Sequence, residues 1–182
     1  MRKVRICAAF LLLIACCAVA AQNLPDANQV LAQANAQASE QHKNVLLVFQ
    51  ASWCRYCKRF ESFLAAPEIQ SIIAKHFVVA RLSVYEELGR NPKLNNPKSD
   101  VLVRQFGNAD VGGLPFIVFL DPESGLIVNS NRPVKGKKDE NIGYPVAPEE
   151  IDWFMVMIKK AAPALTEGDA AIVEAWLRKA AK

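Results

Sequence analysis

The chain has 182 residues, of which 52% are hydrophobic and 22% charged, so it is long enough for one domain and is neither disordered nor of low complexity. Its formal net charge is +4, but removing the three basic residues of the first twenty positions from the 22 leaves 19 basic against 18 acidic residues. This balance lacks the clustered excess of Lys and Arg that nucleic-acid binding requires, so no nucleic-acid partner is expected.

The first segment of the chain predicts export. A short basic stretch, MRKVR, precedes an unbroken apolar run of 16 residues over positions 6–21, which is the layout of a secretory signal peptide. The run is slightly shorter than the ~20 residues that span a bilayer, which disfavours a retained transmembrane anchor. The tripeptide Ala18-Val19-Ala20 fits the small-x-small cleavage rule. Residues 1–20 are therefore predicted to be a signal peptide, with the mature chain beginning at Ala21.

A second cleavage site competes with this one. The tetrapeptide Leu13-Ile14-Ala15-Cys16 resembles a bacterial lipoprotein box, in which Cys16 would be the lipidated first residue. Both sites predict an exported body, and we expect it in a bacterial periplasm. Attachment to a membrane is expected only if Cys16 carries a lipid.

The rest of the chain divides into helices and buried strands. Apolar runs without alternation predict strands buried on both faces, and apolar residues at i, i+3, i+4 and i+7 predict helices. Asp26 and Thr166, followed by Asp169, are predicted to cap the first and last helices. In chain order the predicted elements are helix 26–42, strand 44–49, helix 58–65, helix 68–76, strand 77–84, helix 101–106, strand 116–120, strand 126–130, helix 149–162 and helix 166–181.

This order predicts an α/β fold with a central mixed sheet of about four strands and helices on both faces. The last two strands are joined by a tight turn and are therefore expected to pair antiparallel. The polar segments 85–100 and 131–147 are predicted to be loops inserted into a domain over 44–165. A helical extension over 21–43 precedes that domain, and a C-terminal helix over 166–182 is expected to pack on it.

Two cysteines remain after the predicted cleavage. Cys54 and Cys57 are three positions apart, so they do not connect distant segments of the chain, and the pair is expected to carry chemistry rather than to hold the fold. They follow a buried strand and open a helix, where free N–H groups and the helix dipole favour a thiolate over a thiol. The neighbouring charge of Arg55 acts in the same direction. Cys57, one helical turn on and expected to be less exposed, could attack a mixed disulfide on Cys54.

Two other uses of the pair are weaker. A structural zinc site needs four ligands, and outside the leader only His42 and His76 could join the two cysteines. A permanent structural disulfide would close a very short loop and would constrain the unfolded chain little. No glycine-rich phosphate loop follows a strand. We therefore expect no metal and no cofactor.

The chain resembles the thioredoxin superfamily over roughly residues 40–130. The matching stretches are the apolar strand Val45–Phe49, the run Ala51-Ser52-Trp53-Cys54-Arg55-Tyr56-Cys57-Lys58, and Gly113-Leu114-Pro115-Phe116 before a strand. A Trp-Cys-x-x-Cys-Lys run together with a downstream proline at a strand start is a specific combination. The resemblance implies a thioredoxin-like fold.

The resemblance also implies roles for individual residues. Cys54 would be the nucleophile and Cys57 the resolving thiol of a redox-active disulfide. Pro115 would match the cis-proline of the family, and Leu114 would offer its backbone to a bound peptide. The residues expected to shape the site are Trp53, Arg55, Tyr56, Leu114 and Pro115.

Three departures from the family pattern limit the comparison. Thioredoxins usually place a buried Asp six residues before the first cysteine, where this chain has Val48. Arg81 stands where thioredoxins commonly have Lys, so its usual carboxylate partner is missing. The spacer between the cysteines is Arg-Tyr rather than Gly-Pro, so the redox potential of thioredoxin does not carry over.

The sequence thus predicts an exported thiol–disulfide oxidoreductase that acts on protein thiols and disulfides and exchanges electrons with an upstream redox partner. One alternative is a binding module that uses the same groove without turnover. A second is a maturation factor for copper or c-type cytochromes, although no third metal ligand lies near the cysteines in the sequence. The direction of electron flow depends on the reduction potential.

Overall fold

The computed structural model describes residues 24–108 and 113–180. The predicted signal peptide and the alternative lipid site at Cys16 lie outside these residues. Within the described ranges, none of the helices has the length and apolar character needed to cross a membrane.

A four-stranded mixed sheet forms the centre of the fold, as the sequence predicts. Its strands are β1 Asn44–Gln50, β2 Phe77–Ser83, β3 Phe116–Asp121 and β4 Gly125–Asn129. β1 lies between β2, to which it is parallel, and β3, to which it is antiparallel, and β3 pairs antiparallel with β4, giving the order β2-β1-β3-β4. The antiparallel pairing of β3 and β4 is therefore confirmed.

Helices cover both faces of this sheet. They are α1 Ala27–Glu40, α2 Arg55–Ala65, α3 Pro67–His76, α4 Ser99–Gln105, α5 Pro148–Ala161 and α6 Glu167–Ala180. Alternate residues of β1 belong to different buried clusters: Leu46 and Val48 pack with α2, α3, α5 and α6, whereas Leu47 and Phe49 pack with α1 and α4. A strand that is buried on both faces in this way needs apolar residues at every position, which explains its unbroken apolar run.

The first and last helices begin at the predicted capping residues. The Asp26 side chain accepts a hydrogen bond from the Asn28 N–H over 2.9 Å, and the Asp26 N–H donates to Gln29 Oε1 over 3.3 Å. At α6, Thr166 Oγ1 accepts from the Asp169 N–H over 3.0 Å. Each cap satisfies an N–H group that has no partner within its helix.

The two polar insertions are more regular than predicted. The first contains two short 3-10 helices, Glu86–Gly89 and Pro92–Leu94, and α4 already begins at Ser99. The second contains the antiparallel pair β5 (Asn131–Arg132) and β6 (Glu140–Asn141). Both segments take their shape from hydrogen bonds to distant residues, which sequence patterns do not reveal. An example is the Ser83 N–H, which donates to Asn96 Oδ1 over 2.8 Å.

Candidate active site

The two cysteines stand at the junction between β1 and α2. Cys54 is the N-cap of α2, with extended backbone angles of φ −77° and ψ 111°. It forms a disulfide with Cys57, and their Cα atoms are 5.2 Å apart. The predicted position of Cys54 at the start of a helix is therefore confirmed.

The sulfur of Cys54 lies at the positive end of α2. The Cys57 N–H donates a hydrogen bond to Cys54 Sγ over 3.1 Å, so a free N–H of the first turn points at the sulfur. This turn contains no acidic residue, and its first residue, Arg55, is exposed. The N–H donor, the lack of an acidic residue in the turn and the positive charge of Arg55 each favour a thiolate at Cys54 once the disulfide is reduced.

Burial does not separate the two cysteines. Cys54 is 4% exposed and Cys57 is 3% exposed, so in the disulfide form Cys57 is less exposed than Cys54 by only a negligible difference. Both cysteines share a buried cluster with Leu114, which the sequence placed in the same site. The helix-start position of Cys54 is thus what distinguishes the two sulfurs.

Aromatic side chains flank the disulfide. Trp53, immediately before Cys54, is 36% exposed, and its indole Nε1 donates a hydrogen bond to the Tyr85 carbonyl oxygen over 2.8 Å. The ring also lies against Gly89, where an added Cβ would come within 2.5 Å of Trp53 Cδ1. Tyr56, between the cysteines, is 49% exposed. The first insertion therefore fixes one of these two aromatic residues and leaves the other open to solvent.

A glutamate that the sequence analysis missed lies beside the motif. Glu86 is 1% exposed, and its two carboxylate oxygens accept hydrogen bonds from Ser52, from the N–H over 2.7 Å and from the hydroxyl over 2.6 Å. Glu86 belongs to the insertion after β2, whereas Ser52 is two residues before Cys54. The first insertion is thus tied to the turn that carries the cysteines.

The loop before β3 is held from the other side by the second insertion. The Leu114–Pro115 bond is cis, as the resemblance implies. Asn141 Nδ2 donates to the Gly113 carbonyl oxygen over 2.8 Å and to the Pro115 carbonyl oxygen over 3.1 Å. Asn141 Oδ1 accepts from the Ser130 hydroxyl over 2.6 Å. A side chain that the sequence assigned to a loop therefore braces the proline.

A groove beside this loop connects two predicted site residues. Tyr56 and Leu114 line the same cavity of about 460 Å³, which is also lined by Tyr144. The Arg59 guanidinium lies 4.8 Å from the Tyr144 ring centroid. Burial raises the pKa of Tyr144 above its usual value, and the charge of Arg59 opposes this increase. The second insertion thus supplies a wall of the groove that lies next to the cysteine motif.

A second cavity, of about 420 Å³, lies on the Cys57 side and is lined by Glu86 and by Glu61 of α2. Glu61 Oε1 accepts from Arg81 Nε over 2.8 Å. Arg81 therefore does have a carboxylate partner, supplied by α2 rather than by the strand position that Val48 occupies. The partner expected from the family pattern is absent, but Glu61 takes its place. The sequence did not indicate this pair because the two residues are 20 positions apart.

Metal ligands do not cluster in the described part of the chain. No group of three or more His, Cys, Asp or Glu side chains that could hold a metal ion occurs within residues 24–108 and 113–180. His42 and His76 line a cavity that neither cysteine lines.

Comparison with known proteins gives one family match. The sequence model of a family described as Thioredoxin-like matches residues 26–122, more than half of the chain. A curated relative from Photorhabdus laumondii subsp. laumondii, the thiol:disulfide interchange protein DsbD, is 33% identical over 90 residues. This match covers 49% of the chain but only 14% of the relative.

Solved structures resemble the fold more loosely. A disulphide isomerase from Xylella fastidiosa Temecula1 has a TM-score of 0.47 and 29% identity, covering 60% of this chain and 80% of that one. A thioredoxin from Thermus thermophilus has a TM-score of 0.44 and 20% identity, covering 79% and 94%. Both scores are below 0.5, so the family assignment rests on the sequence match.

Proposed function

Because this chain belongs to the thioredoxin-like family, we propose that it is an exported thiol–disulfide oxidoreductase that exchanges disulfides with other proteins through Cys54 and Cys57. The observation that carries the proposal is the position of Cys54, which is the N-cap of α2 and is bonded to Cys57 one turn further on. The DsbD relative, a thiol:disulfide interchange protein by name, supports the same class of reaction.

The proposed reaction has two exchange steps. In the reduced protein, the Cys54 thiolate attacks a partner disulfide, forming a mixed disulfide and releasing the other partner sulfur as a thiolate, which takes up a proton. The Cys57 thiol then loses its proton, and its thiolate attacks Cys54 Sγ. The Cys54–Cys57 disulfide forms and the second partner sulfur leaves as a thiolate, which takes up a proton. The partner has then gained two electrons, and its two protons come from the solvent, which receives one proton from each of Cys54 and Cys57. The reverse sequence oxidises a partner dithiol.

The groove lined by Tyr56, Leu114 and Tyr144 is proposed to hold the partner segment that carries the reacting sulfur. In this account Leu114 offers backbone groups, while Trp53, Arg55 and Pro115 shape the entrance. The partners are proteins with accessible thiols or disulfides, together with an upstream redox protein.

Insulin reduction by dithiothreitol tests whether the protein turns over. The wild-type chain should accelerate precipitation of the insulin B chain, and Cys54→Ser should abolish the acceleration. Ser62→Ala is the matched control, because Ser62 lies on the same helix and its hydroxyl bonds only to the Lys58 carbonyl oxygen among the described residues. A wild-type protein that gives no acceleration would instead support the binding module.

Trapping of a partner tests the roles of the two cysteines. Cys57→Ser should accumulate mixed disulfides on Cys54, because the attack that resolves them is lost. Cys54→Ser should accumulate none. Mixed disulfides that form on Cys57 in the Cys54→Ser variant, and not on Cys54 in the Cys57→Ser variant, would reverse the assignment.

The proposed export rests on the basic and apolar pattern of the first 21 residues. Mass spectrometry of the protein recovered from the periplasm and membranes of a bacterial host would identify the mature N-terminus. Ala21 in the soluble periplasm supports the signal peptide, a lipidated Cys16 in the membrane supports the lipoprotein, and an intact Met1 in the cytoplasm contradicts both.

A further inference from the structure

A buried carboxylate lies next to the cysteine motif with neutral hydrogen-bond partners. Glu86 is 1% exposed. Within residues 24–108 and 113–180 its side-chain partners are the N–H and the hydroxyl of Ser52. Burying a carboxylate is costly unless hydrogen bonds compensate, so two bonds of 2.6 and 2.7 Å to one residue indicate a specific arrangement.

The backbone around Glu86 is held as firmly as its side chain. The Glu86 N–H donates to Asn95 Oδ1 over 3.0 Å. Tyr85, immediately before it, is 3% exposed and adopts a left-handed backbone with φ 59°, a region that non-glycine residues seldom occupy. In this conformation its carbonyl oxygen accepts the hydrogen bond from Trp53 Nε1. Tyr85 and Glu86 thus bind Trp53 and Ser52, the two residues before Cys54.

Glu86 also lines the cavity that Cys57 lines. Two other charged groups line it: Lys58, which is exposed, and Glu61, which is paired with Arg81 at 2.8 Å. The neighbouring Glu87 is exposed and accepts from Asn95 Nδ2 over 3.0 Å. Glu86 is therefore the buried carboxylate of this cavity, and within the described ranges its oxygens are satisfied by hydrogen bonds rather than by an ion pair.

We propose that Glu86 is a positioning residue that also poises the cysteine pair: it fixes the turn before Cys54 through Ser52, and its negative charge opposes thiolate formation in the reduced protein. A like charge in a site of low polarity disfavours a thiolate. Because the thiolate belongs to the reduced form, the same charge favours the disulfide and lowers the reduction potential. This inference rests on the proposed function only in taking the pair to be redox-active.

Glu86→Gln in the full chain tests the effect of the charge. The amide keeps an acceptor for the Ser52 N–H and offers a donor to the Ser52 hydroxyl, so the turn is retained while the charge is removed. Two measurements are made: iodoacetamide labelling of Cys54 against pH, resolved from Cys7, Cys16, Cys17 and Cys57 by peptide mapping, and the equilibrium with glutathione.

Glu86→Gln should label Cys54 at least about threefold faster at pH 6 and should shift the glutathione equilibrium about threefold towards the dithiol. A threefold shift corresponds to a potential about 14 mV more positive. Glu87→Gln, which removes a neighbouring exposed carboxylate, should leave both measurements unchanged.

Ser52→Ala separates the charge from the hydrogen bond. It removes the hydroxyl that donates to Glu86 Oε2 but keeps the carboxylate, so Ser52→Ala should label Cys54 at pH 6 more slowly than Glu86→Gln does. A merely structural role would make the two variants label at the same rate, because both weaken the same contact. The proposal is overturned by an unchanged Glu86→Gln protein, or by a Ser52→Ala protein that labels as fast as Glu86→Gln. If Glu86→Gln does not fold, Glu86→Ala takes its place in the same comparison with Ser52→Ala.

Neither measurement uses a protein substrate, so the two proposals fail separately. A chain that equilibrates with glutathione but does not reduce insulin would refute the proposed turnover and leave the Glu86 test intact. A chain that reduces insulin while Glu86→Gln behaves as the wild type would refute the role of Glu86 alone.

Discussion

Asn141 Nδ2 donates a hydrogen bond of 2.8 Å to the carbonyl oxygen of Gly113, 28 positions earlier in the chain. The same nitrogen donates to the Pro115 carbonyl oxygen, and Oδ1 accepts from the Ser130 hydroxyl and the Gly143 N–H. One side chain of the second insertion thus connects the loop before β3 to the wall of the groove.

Asn141→Ala should destabilise the protein by about 1–3 kcal/mol, because partly buried donors and acceptors are left without partners. Urea unfolding of the oxidised protein measures this loss. Asn131→Ala is the matched control: it removes the bond from Asn131 Nδ2 to the Gly107 carbonyl oxygen, away from the proline loop, and should cost less. Insulin reduction should also slow in Asn141→Ala more than in Asn131→Ala. Equal effects of the two variants would contradict the bracing role of Asn141.

Gly89→Ala should displace the indole of Trp53. The added Cβ would lie 2.5 Å from Trp53 Cδ1, so the ring must move and the hydrogen bond to the Tyr85 carbonyl oxygen is expected to lengthen or break. Overpacking of this kind costs about 1–3 kcal/mol. Tryptophan fluorescence and urea unfolding measure the two effects.

The control for this substitution is Gly168→Ala in α6. The nearest atom to its added Cβ is Thr166 Oγ1 at 3.9 Å, an ordinary contact, so the variant should be as stable as the wild type or more stable, by up to about 1 kcal/mol. A Gly89→Ala protein with unchanged fluorescence and stability would show that Trp53 does not need its observed position.

Arg55→Ala should slow the alkylation of Cys54 at pH 6–7, because an exposed positive charge next to the sulfur is lost. The change is expected to be about twofold at low salt and smaller in ~1 M salt, where the Debye length falls to about 3 Å. Arg104→Ala, which breaks an exposed pair with Asp100 on α4, should leave the rate unchanged. An Arg55→Ala profile identical to the wild type would leave the helix terminus as the source of thiolate stabilisation.

Stability at alkaline pH should depend on Tyr144. Burial raises the pKa of its hydroxyl above that of an unfolded chain, near ~10, while the charge of Arg59 acts in the opposite direction. A raised folded-state pKa contributes stability that is fully present below the unfolded pKa and is lost as the pH rises through the folded one. Tyr144→Phe should therefore lose less stability than the wild type between pH 9 and 11.5.

Urea midpoints across this range provide the measurement. Tyr56→Phe, which replaces a half-exposed tyrosine at the same groove, is the control. Parallel losses in the wild type and Tyr144→Phe would show that ionisation of Tyr144 is not linked to unfolding.

Local patterns were sufficient to predict the order of the α-helices and of the four strands of the central sheet, the caps at Asp26 and Thr166 and the placement of Cys54 at a helix start. They succeed because each depends on neighbours within one turn or one strand: hydrophobic period, capping residues and cysteine spacing are all short-range features. The boundaries differ by a few residues, as for α1, predicted over 26–42 and found at Ala27–Glu40.

Only the tertiary structure decided which polar residues meet the cysteine motif. Glu86 and Glu87 are adjacent in a polar segment, and nothing in the sequence shows that the first is buried against Ser52 while the second faces solvent. Asn141 likewise stands in a stretch without hydrophobic period. Their partners are 34 and 28 positions away, and these pairs come together only because the sheet places the ends of β1, β2 and β3 at one edge. Hydrogen bonds between residues so distant in sequence depend on how whole helices and strands pack, and local residue preferences do not determine that packing.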